Sequence, residues 1–334
     1  MKIGFDAKRA FFNNTGLGNY SRDTIKIISD YKKNDHYSLY TPKLVYNERL
    51  HFVNRQENIK ICAPKSIKDK LFPFYWRSFG CLKKLKSDNL DIYHGLSNEI
   101  PFGIEHTGIK SVVTIHDLIF LRYPKLFSFF DRNIYYKKFK SSCQRADKII
   151  AISQQTKKDI IDYFSIKEKK IQVIYQGCNT IFKQKVGQKE KQSVIHKYNL
   201  PASFILYVGT IEERKNLMSL LKAVKNLHNV KLVVIGNGKK YKQKCLDYIY
   251  ENKLSSNVFI LKNVNFNDLP AIYQSAEIMV YPSFFEGFGI PIVEALFSKT
   301  PVITTKGGCF KEAGGPDTIY VNTSSVRDLK ESIK

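Results

Sequence analysis

Long hydrophobic runs are missing from this chain. No stretch approaches the ~18 uninterrupted apolar residues of a membrane-crossing helix, so no transmembrane segment is expected. The amino terminus, MKIGFDAKRA, has no apolar core of the length a secretory leader needs. Cysteines are few and scattered. The six, Cys62, Cys81, Cys143, Cys178, Cys245 and Cys309, form no Cys-x-x-Cys pair, which excludes the usual zinc spacing and fits a reducing cytoplasm. No Asp-x-Asp occurs, and no complete Gly-x-Gly-x-x-Gly follows a strand, as a nicotinamide dehydrogenase would require. Acidic residues are scarce beside basic ones, 30 against 54, for a net charge of +24.

That charge is unevenly spread. Residues 1–250 hold 46 Lys and Arg against 21 Asp and Glu, whereas residues 251–334 hold 8 against 9. A field of this kind favours anionic partners such as nucleotides, nucleic acid or an anionic membrane surface, or is simply a lysine-rich solubilising surface. A chain of 334 residues with 43% apolar and 25% charged content has enough material for two globular domains.

Short β-rich runs alternate with helical patterns throughout. The first series of runs is 1–6, 58–62, 90–94, 111–116, 148–153 and 170–175, with helices expected at 18–31, 70–86, 133–145 and 154–164. The second series is 203–209, 230–236, 257–261, 277–283, 301–305 and 318–321. Strands apolar on both faces belong in parallel sheets between helix layers, so the chain reads as α/β, with two doubly wound, Rossmann-like domains. The expected boundaries are 1–182 and 200–334, joined by the polar, strongly basic linker 183–199.

In such folds ligands gather beyond the carboxyl ends of strands, and four segments there carry unusual residues. In SFFEGFGIPIVEAL (283–296), Glu286 and Glu294 flank a glycine turn, and Pro291 suits the first turn of a helix. Glu294 is the one charge in an apolar run. Such a carboxylate needs hydrogen-bond donors, which the hydroxyls of a sugar or ribose would supply and which a helix amino terminus would also favour. In YVGTIEERKNL (207–217), a strand ends at Gly209, and Arg214 and Lys215 precede a helix. Two cations at a helix start oppose its dipole unless an anion such as a diphosphate sits there too. In NNTGLGNYS (13–21), the backbone around Gly16 is either a phosphate cradle or a plain tight turn, and VIGNGKK (234–240) is a weaker version of it. In SVVTIHDLIFLRYP (111–124), His116 stands at a strand end, as His94 does in LDIYHGLSNEIP.

Together these residues resemble the family 4 glycosyltransferases, the retaining nucleotide-sugar transferases of GT-B fold. The resemblance runs through FDAKRA with TGLGNY, VVTIHDLIFLRYP, KIIAISQQTKKDI, LYVGTIEERKNL, LVVIG, YPSFFEGFGIPIVEAL and PVITT. It implies two Rossmann-like domains with a cleft between them, the first on the acceptor side and the second on the donor side. It implies that Glu286 lies against the donor sugar, that Glu294 binds ribose hydroxyls, and that Arg214 and Lys215 neutralise the diphosphate. Gly16 would approach the donor from the first domain, His116 would contact the sugar, and Gly209 with the backbone of Phe288, Gly289 and Ile290 would line the same site. With no Asp-x-Asp, the cations and helix amino termini are expected to stand in for a metal, so no cofactor beyond the donor substrate is expected.

The expected partners are a nucleotide-sugar donor and a glycan or lipid-linked acceptor, with no nucleic acid. The setting implied is surface polysaccharide synthesis in the cytoplasm, peripheral to the inner face of the membrane. The stretch 68–86, KDKLFPFYWRSFGCLKKLK, is either an interfacial helix on anionic lipid or a core-packing helix with a basic outer face. Family members usually continue past the last strand into further helices, whereas this chain stops at VRDLKESIK, so a non-catalytic nucleotide-binding protein of the same fold is the alternative reading. A basic nucleic-acid-binding protein is a further one, but it leaves the paired glutamates unexplained.

Overall fold

The alternating runs become two parallel sheets in the computed structural model, which describes all residues 1–334. The chain forms two units, Met1–Gln176 and Gly177–Lys334. The first contains β1 (Lys2–Asp6), β2 (His36–Tyr40), β3 (Ile59–Cys62), β4 (Ile92–Gly95), β5 (Lys110–Ile115), β6 (Lys148–Ala151) and β7 (Ile171–Val173), in the order β3-β2-β1-β4-β5-β6-β7. The second contains β8 (Ile205–Val208), β9 (Leu232–Ile235), β10 (Val258–Leu261), β11 (Ile278–Tyr281), β12 (Val302–Thr305) and β13 (Ile319–Val321), in the order β10-β9-β8-β11-β12-β13. All strand pairings are parallel. The strand order reverses beside β1 and β4 in the first sheet and beside β8 and β11 in the second, which places a ligand-binding switch point at the carboxyl ends of each pair.

Three sequence expectations need correction. β2 was not anticipated, because its run HYSLY mixes polar and apolar residues, yet it pairs with β1 through five residues and is buried from Tyr37 onward. The expected helix 70–86 is broken into Ile67–Leu71, Pro73–Tyr75, a π-type turn Trp76–Gly80 and Leu82–Ser87. Pro73 has no N–H to continue the helix, and Phe72 before it takes a non-helical ψ of 66°. The expected linker 183–199 belongs to the second unit and holds the helix Gln188–Lys197. Its basic residues form a solvated face, while Val194 is buried and Gln274 accepts from Val186 N at 3.0 Å.

The core of the first unit lies on both faces of its sheet, with Phe5, Ile25 and Leu39 in one layer and Tyr93, Val113 and Ile149 in the other. Polar groups fill the carboxyl edge between these layers. Asp6, at the end of β1, is 2% exposed and takes Arg77 Nε at 3.0 Å and Nη2 at 2.5 Å, while Arg77 Nη1 reaches Glu99 at 2.9 Å. His94 Nε2 meets Thr114 Oγ1 at 2.8 Å, and the Tyr20 hydroxyl meets the same oxygen at 3.0 Å. His116 Nε2 bonds Leu96 O at 2.8 Å, and Gln176 Nε2 bonds its Nδ1 at 3.2 Å. The ring therefore donates from Nε2 and accepts at Nδ1. Burial lowers both imidazole pKa values to about 4, with His116 adding to the effect on His94.

Two predictions follow from this edge. Arg77→Ala leaves Asp6 buried and unpaired and should cost about 3–5 kcal/mol in urea unfolding of the first unit, part of which Asp6→Ala on the same background should restore. The histidines bind protons below about pH 6.5 when unfolded but only near pH 4 when folded. Their contribution is thus neutral above pH 6.5 and increasingly destabilising as pH falls toward 4, by up to about 1.4 kcal/mol per pH unit for each. Urea midpoints measured at pH 7, 6 and 5 should fall in step, and His94→Gln should flatten the fall; an unchanged slope in that variant would contradict the assignment.

Candidate functional site

The second unit's switch point is built by two loops, one following β8 and the other β11. The β8 loop is held against the end of β9 by Gly209 N to Ile235 O at 3.0 Å and Ile211 N to Asn237 O at 2.8 Å. A Cβ at Gly236 would fall 1.9 Å from Gly209 O, and one at Gly238 would fall 2.1 Å from Ile211 O. The glycines of VIGNGKK are therefore close-approach residues that seat the β8 loop.

The loop then makes a 3₁₀ turn, Glu213–Lys215, and Asn216 adopts the left-handed conformation at φ 54°. Buried Asn216 donates from Nδ2 to Pro282 O at 3.3 Å and Thr323 O at 2.9 Å. Phe284 N donates to Arg214 O at 2.9 Å. These bonds join the backbone that carries Arg214 and Lys215 to the backbone that carries Glu286.

The three charges meet there. Glu286 Oε1 lies 2.8 Å from Arg214 Nη1 and 2.6 Å from Lys215 Nζ. The oxygen is buried, and both cations reach it as close ion pairs. Lys215 Nζ donates to the Tyr281 hydroxyl at 2.7 Å, and Arg214 donates to Phe285 O at 2.8 Å and Glu212 at 2.5 Å. Burial pushes the Glu286 carboxyl up, but Lys215 and Arg214 outweigh it and hold the pKa at about 2. Burial lowers the pKa of Lys215, with Glu286 opposing that effect and Arg214 adding to it. Gly209 borders the group: its Cβ position is 3.9 Å from Lys215 Cδ and from the Tyr207 hydroxyl.

Beyond Glu286 the chain turns through buried Phe288 to Gly289, at φ 116°, where a side chain would be strained and would press on Ile292. The Cys309 thiol donates to Glu286 O at 3.1 Å and Phe288 O at 3.2 Å, fixing the turn. The helix Ile290–Phe297 follows, with Pro291 in its first turn. Glu294, 6% exposed on this helix, accepts from the Tyr273 hydroxyl at 3.0 Å. Tyr273 is itself fully buried, and burial and the Glu294 carboxylate push its pKa well above the ordinary range.

Sequence reasoning did not single out Tyr273, Tyr281, Asn216 or Cys309. Tyr281 and Asn216 stood within quoted motifs, whereas Tyr273 and Cys309 lie outside those motifs and have no spacing that marks them.

Arg214, Lys215, Glu286 and Gly209 thus converge, and Phe288, Gly289 and Ile290 lead directly into the helix that bears Glu294. Gly16 and His116 belong to the first unit. A Cβ at Gly16 would meet nothing within 4 Å, whereas one at Gly18 would fall 1.7 Å from Asn13 O, so Gly18 is the residue that packing requires. His116 is 5% exposed and both its ring nitrogens are engaged within the unit, which leaves neither open for proton transfer.

The sequence profile described as Glycosyltransferase Family 4 matches residues 38–182, and the one described as Glycosyl transferases group 1 matches residues 188–334. Among curated proteins, the O-antigen chain mannosyltransferase RfbU of Salmonella typhimurium is 30% identical over 227 residues, 67% of this chain and 60% of that protein. O-antigen chain mannosyltransferase B of Escherichia coli is 28% identical over 249 residues, 72% of this chain and 64% of its own length. The chain therefore spans less than two thirds of the length of either relative. Among solved structures, Anabaena HepE in complex with UDP-glucose superposes with a TM-score of 0.74 at 17% identity, over 100% of this chain and 88% of that one, a likeness of fold. Two profiles that together span most of the sequence, each on a Rossmann-like unit, place this chain in the group 1, family 4 glycosyltransferases of GT-B fold.

Proposed function

We propose that the chain is a retaining, metal-independent glycosyltransferase that moves a hexose of mannose type from a nucleotide-diphosphate sugar to a glycan or lipid-linked acceptor in surface polysaccharide synthesis. The observation that carries this reading is the partly buried Arg214–Lys215–Glu286 cluster at the carboxyl ends of β8 and β11. The names of the O-antigen relatives support the sugar and the setting. The cation pair, together with the lack of Asp-x-Asp, supports a donor site that neutralises its leaving group without a metal.

Breaking a sugar–phosphate bond builds negative charge on the departing diphosphate. Arg214 offers a planar fork and Lys215 a point charge to that group, both already in place and partly desolvated, so little reorganisation is needed as charge develops. Glu286, with a pKa near 2, is a weak base at neutral pH. Its role in this reading is to hold the cations charged and aligned and to lie against the sugar, while the departing phosphate takes the acceptor's proton. Glu294, oriented by Tyr273, accepts from ribose hydroxyls. His116, neutral and fully bonded, acts as a positioning residue for the carboxyl edge of the first sheet.

The test is a thermal-shift panel of UDP, GDP, ADP and CDP and their sugar conjugates without added metal. One nucleotide should stabilise the protein by about 2.7 kcal/mol at a hundredfold excess over its Kd. Glu294→Ala should weaken that binding by about tenfold to a hundredfold through loss of a hydrogen-bonded charge. Absence of a shift with every nucleotide would sink the donor-site reading, and a shift without turnover would favour the non-catalytic one.

A second expectation concerns Glu286→Gln. With the carboxylate gone, burial and Arg214 both push the Lys215 pKa down. Affinity for the nucleoside diphosphate should then decline as pH rises above neutral, while the wild type declines less steeply. Parallel pH profiles in calorimetric titrations would refute the coupling.

A further inference from the structure

The last residue of β11 carries a hydroxyl that the proposed donor chemistry does not use. Tyr281 is 1% exposed and firmly placed. Its carbonyl accepts from Thr304 Oγ1 on β12 at 2.8 Å, and its ring meets Phe310 at a steep angle, with centroids 6.4 Å apart. A strand covered on both faces calls for an apolar side chain here, and phenylalanine would fill the same volume. A buried phenol, by contrast, needs a polar partner. That partner is Lys215, whose Nζ donates to the Tyr281 hydroxyl at 2.7 Å.

Lys215, Arg214 and Glu286 all stand on the turns that follow the strands, whereas Tyr281 belongs to the sheet. The phenol therefore ties the ammonium to the rigid frame. The same ring adds a cation–π contact, with Nζ 5.0 Å from its centroid. An ammonium has three N–H groups. One goes to the Tyr281 hydroxyl, and a second direction is taken by Glu286 Oε1, 2.6 Å away. One direction remains. The charged and titratable groups around Lys215 are Glu286, Arg214, Glu212 and the phenols of Tyr281 and Tyr207. Burial, with Arg214 adding, drives the ammonium toward losing its proton, while Glu286 and Glu212 oppose that loss. Burial, with Glu286 adding, holds the Tyr281 phenol well above its ordinary pKa, so it stays neutral and offers a lone pair without charge.

We propose that Tyr281 is a positioning residue whose hydroxyl aims the Lys215 ammonium, so that one N–H is left to meet an oxygen of the bound diphosphate. A hydrogen bond accepted from the ammonium also favours its charged form. Phenylalanine at this position would keep the packing, remove the acceptor and let the ammonium turn to Glu286 alone. The identity of the ligand rests on the donor-site reading, whereas the aim and charge of Lys215 do not.

The experiment compares the wild type with Tyr281→Phe, Lys215→Met and the double variant. Calorimetric titrations use UDP, GDP, ADP and CDP and the corresponding nucleosides. Tyr281→Phe should weaken the nucleoside diphosphate that binds by about tenfold, as for a lost hydrogen bond to a charged group, and the loss should grow as pH rises above neutral. The matching nucleoside has no phosphate for Lys215 to meet and should bind as before. On the Lys215→Met background the same substitution should change affinity by less than about twofold, because the hydroxyl acts through the ammonium. Lysine side-chain NMR of the free protein, which needs no nucleotide, should show Lys215 losing its proton at lower pH in Tyr281→Phe than in the wild type. If no nucleotide binds the wild type, the donor-site reading fails while the NMR comparison still decides the role of Tyr281. Unchanged diphosphate affinity, an equal loss for nucleoside and diphosphate, an undiminished loss on the Lys215→Met background, or coincident NMR titrations would each overturn the proposal.

Discussion

A carboxylate and two cations largely withdrawn from water are expensive in isolation, because each gives up part of its hydration. In this protein the expense is offset by bringing all three to one point: Glu286 Oε1 stands within 2.8 Å of both Arg214 and Lys215. The surrounding construction serves that convergence. Gly236 and Gly238 let the β8 loop sit against β9, Asn216 ties it to Pro282 and Thr323, and Phe284 bonds the Arg214 carbonyl. Since β8 and β11 are neighbours in the sheet, the loops that carry opposite charges leave it side by side. The strand order therefore decides which residues can meet.

How much of this was legible depended on whether a feature is local. Buried parallel strands announce themselves by uninterrupted apolar runs, and twelve of the thirteen were placed near their observed positions. β2 escaped because its burial comes from tertiary packing around Ser38 and two tyrosines rather than from a hydrophobic run. Pro73 should have warned against one continuous helix over 70–86, and its effect on Phe72 accounts for the break. The basic stretch 183–199 looked like a linker because composition reports the solvated face and hides a single anchor such as Val194.

The charged members of the second unit's site were visible because charge in an apolar or glycine-rich setting is locally anomalous. Their partners were not: a tyrosine that orients a glutamate twenty-one residues away looks like any other core aromatic. Glycine gave a mixed signal. Gly289 stands where positive φ demands it, but in the first loop Gly18 is the constrained residue and Gly16 is not. In the first unit His94 and His116, which stand at strand ends, are internally bonded members of a polar layer.

Cys309 has a role that its bulk and burial do not reveal. Its thiol draws two carbonyls to one side, those of Glu286 and Phe288. In a trans peptide the N–H points opposite to the C=O of the same plane, and the chain contains no cis bonds. The amides of Gly287 and Gly289 are thereby turned away from the sulfur. One sulfur atom thus decides which way two peptide units face just ahead of the helix Ile290–Phe297.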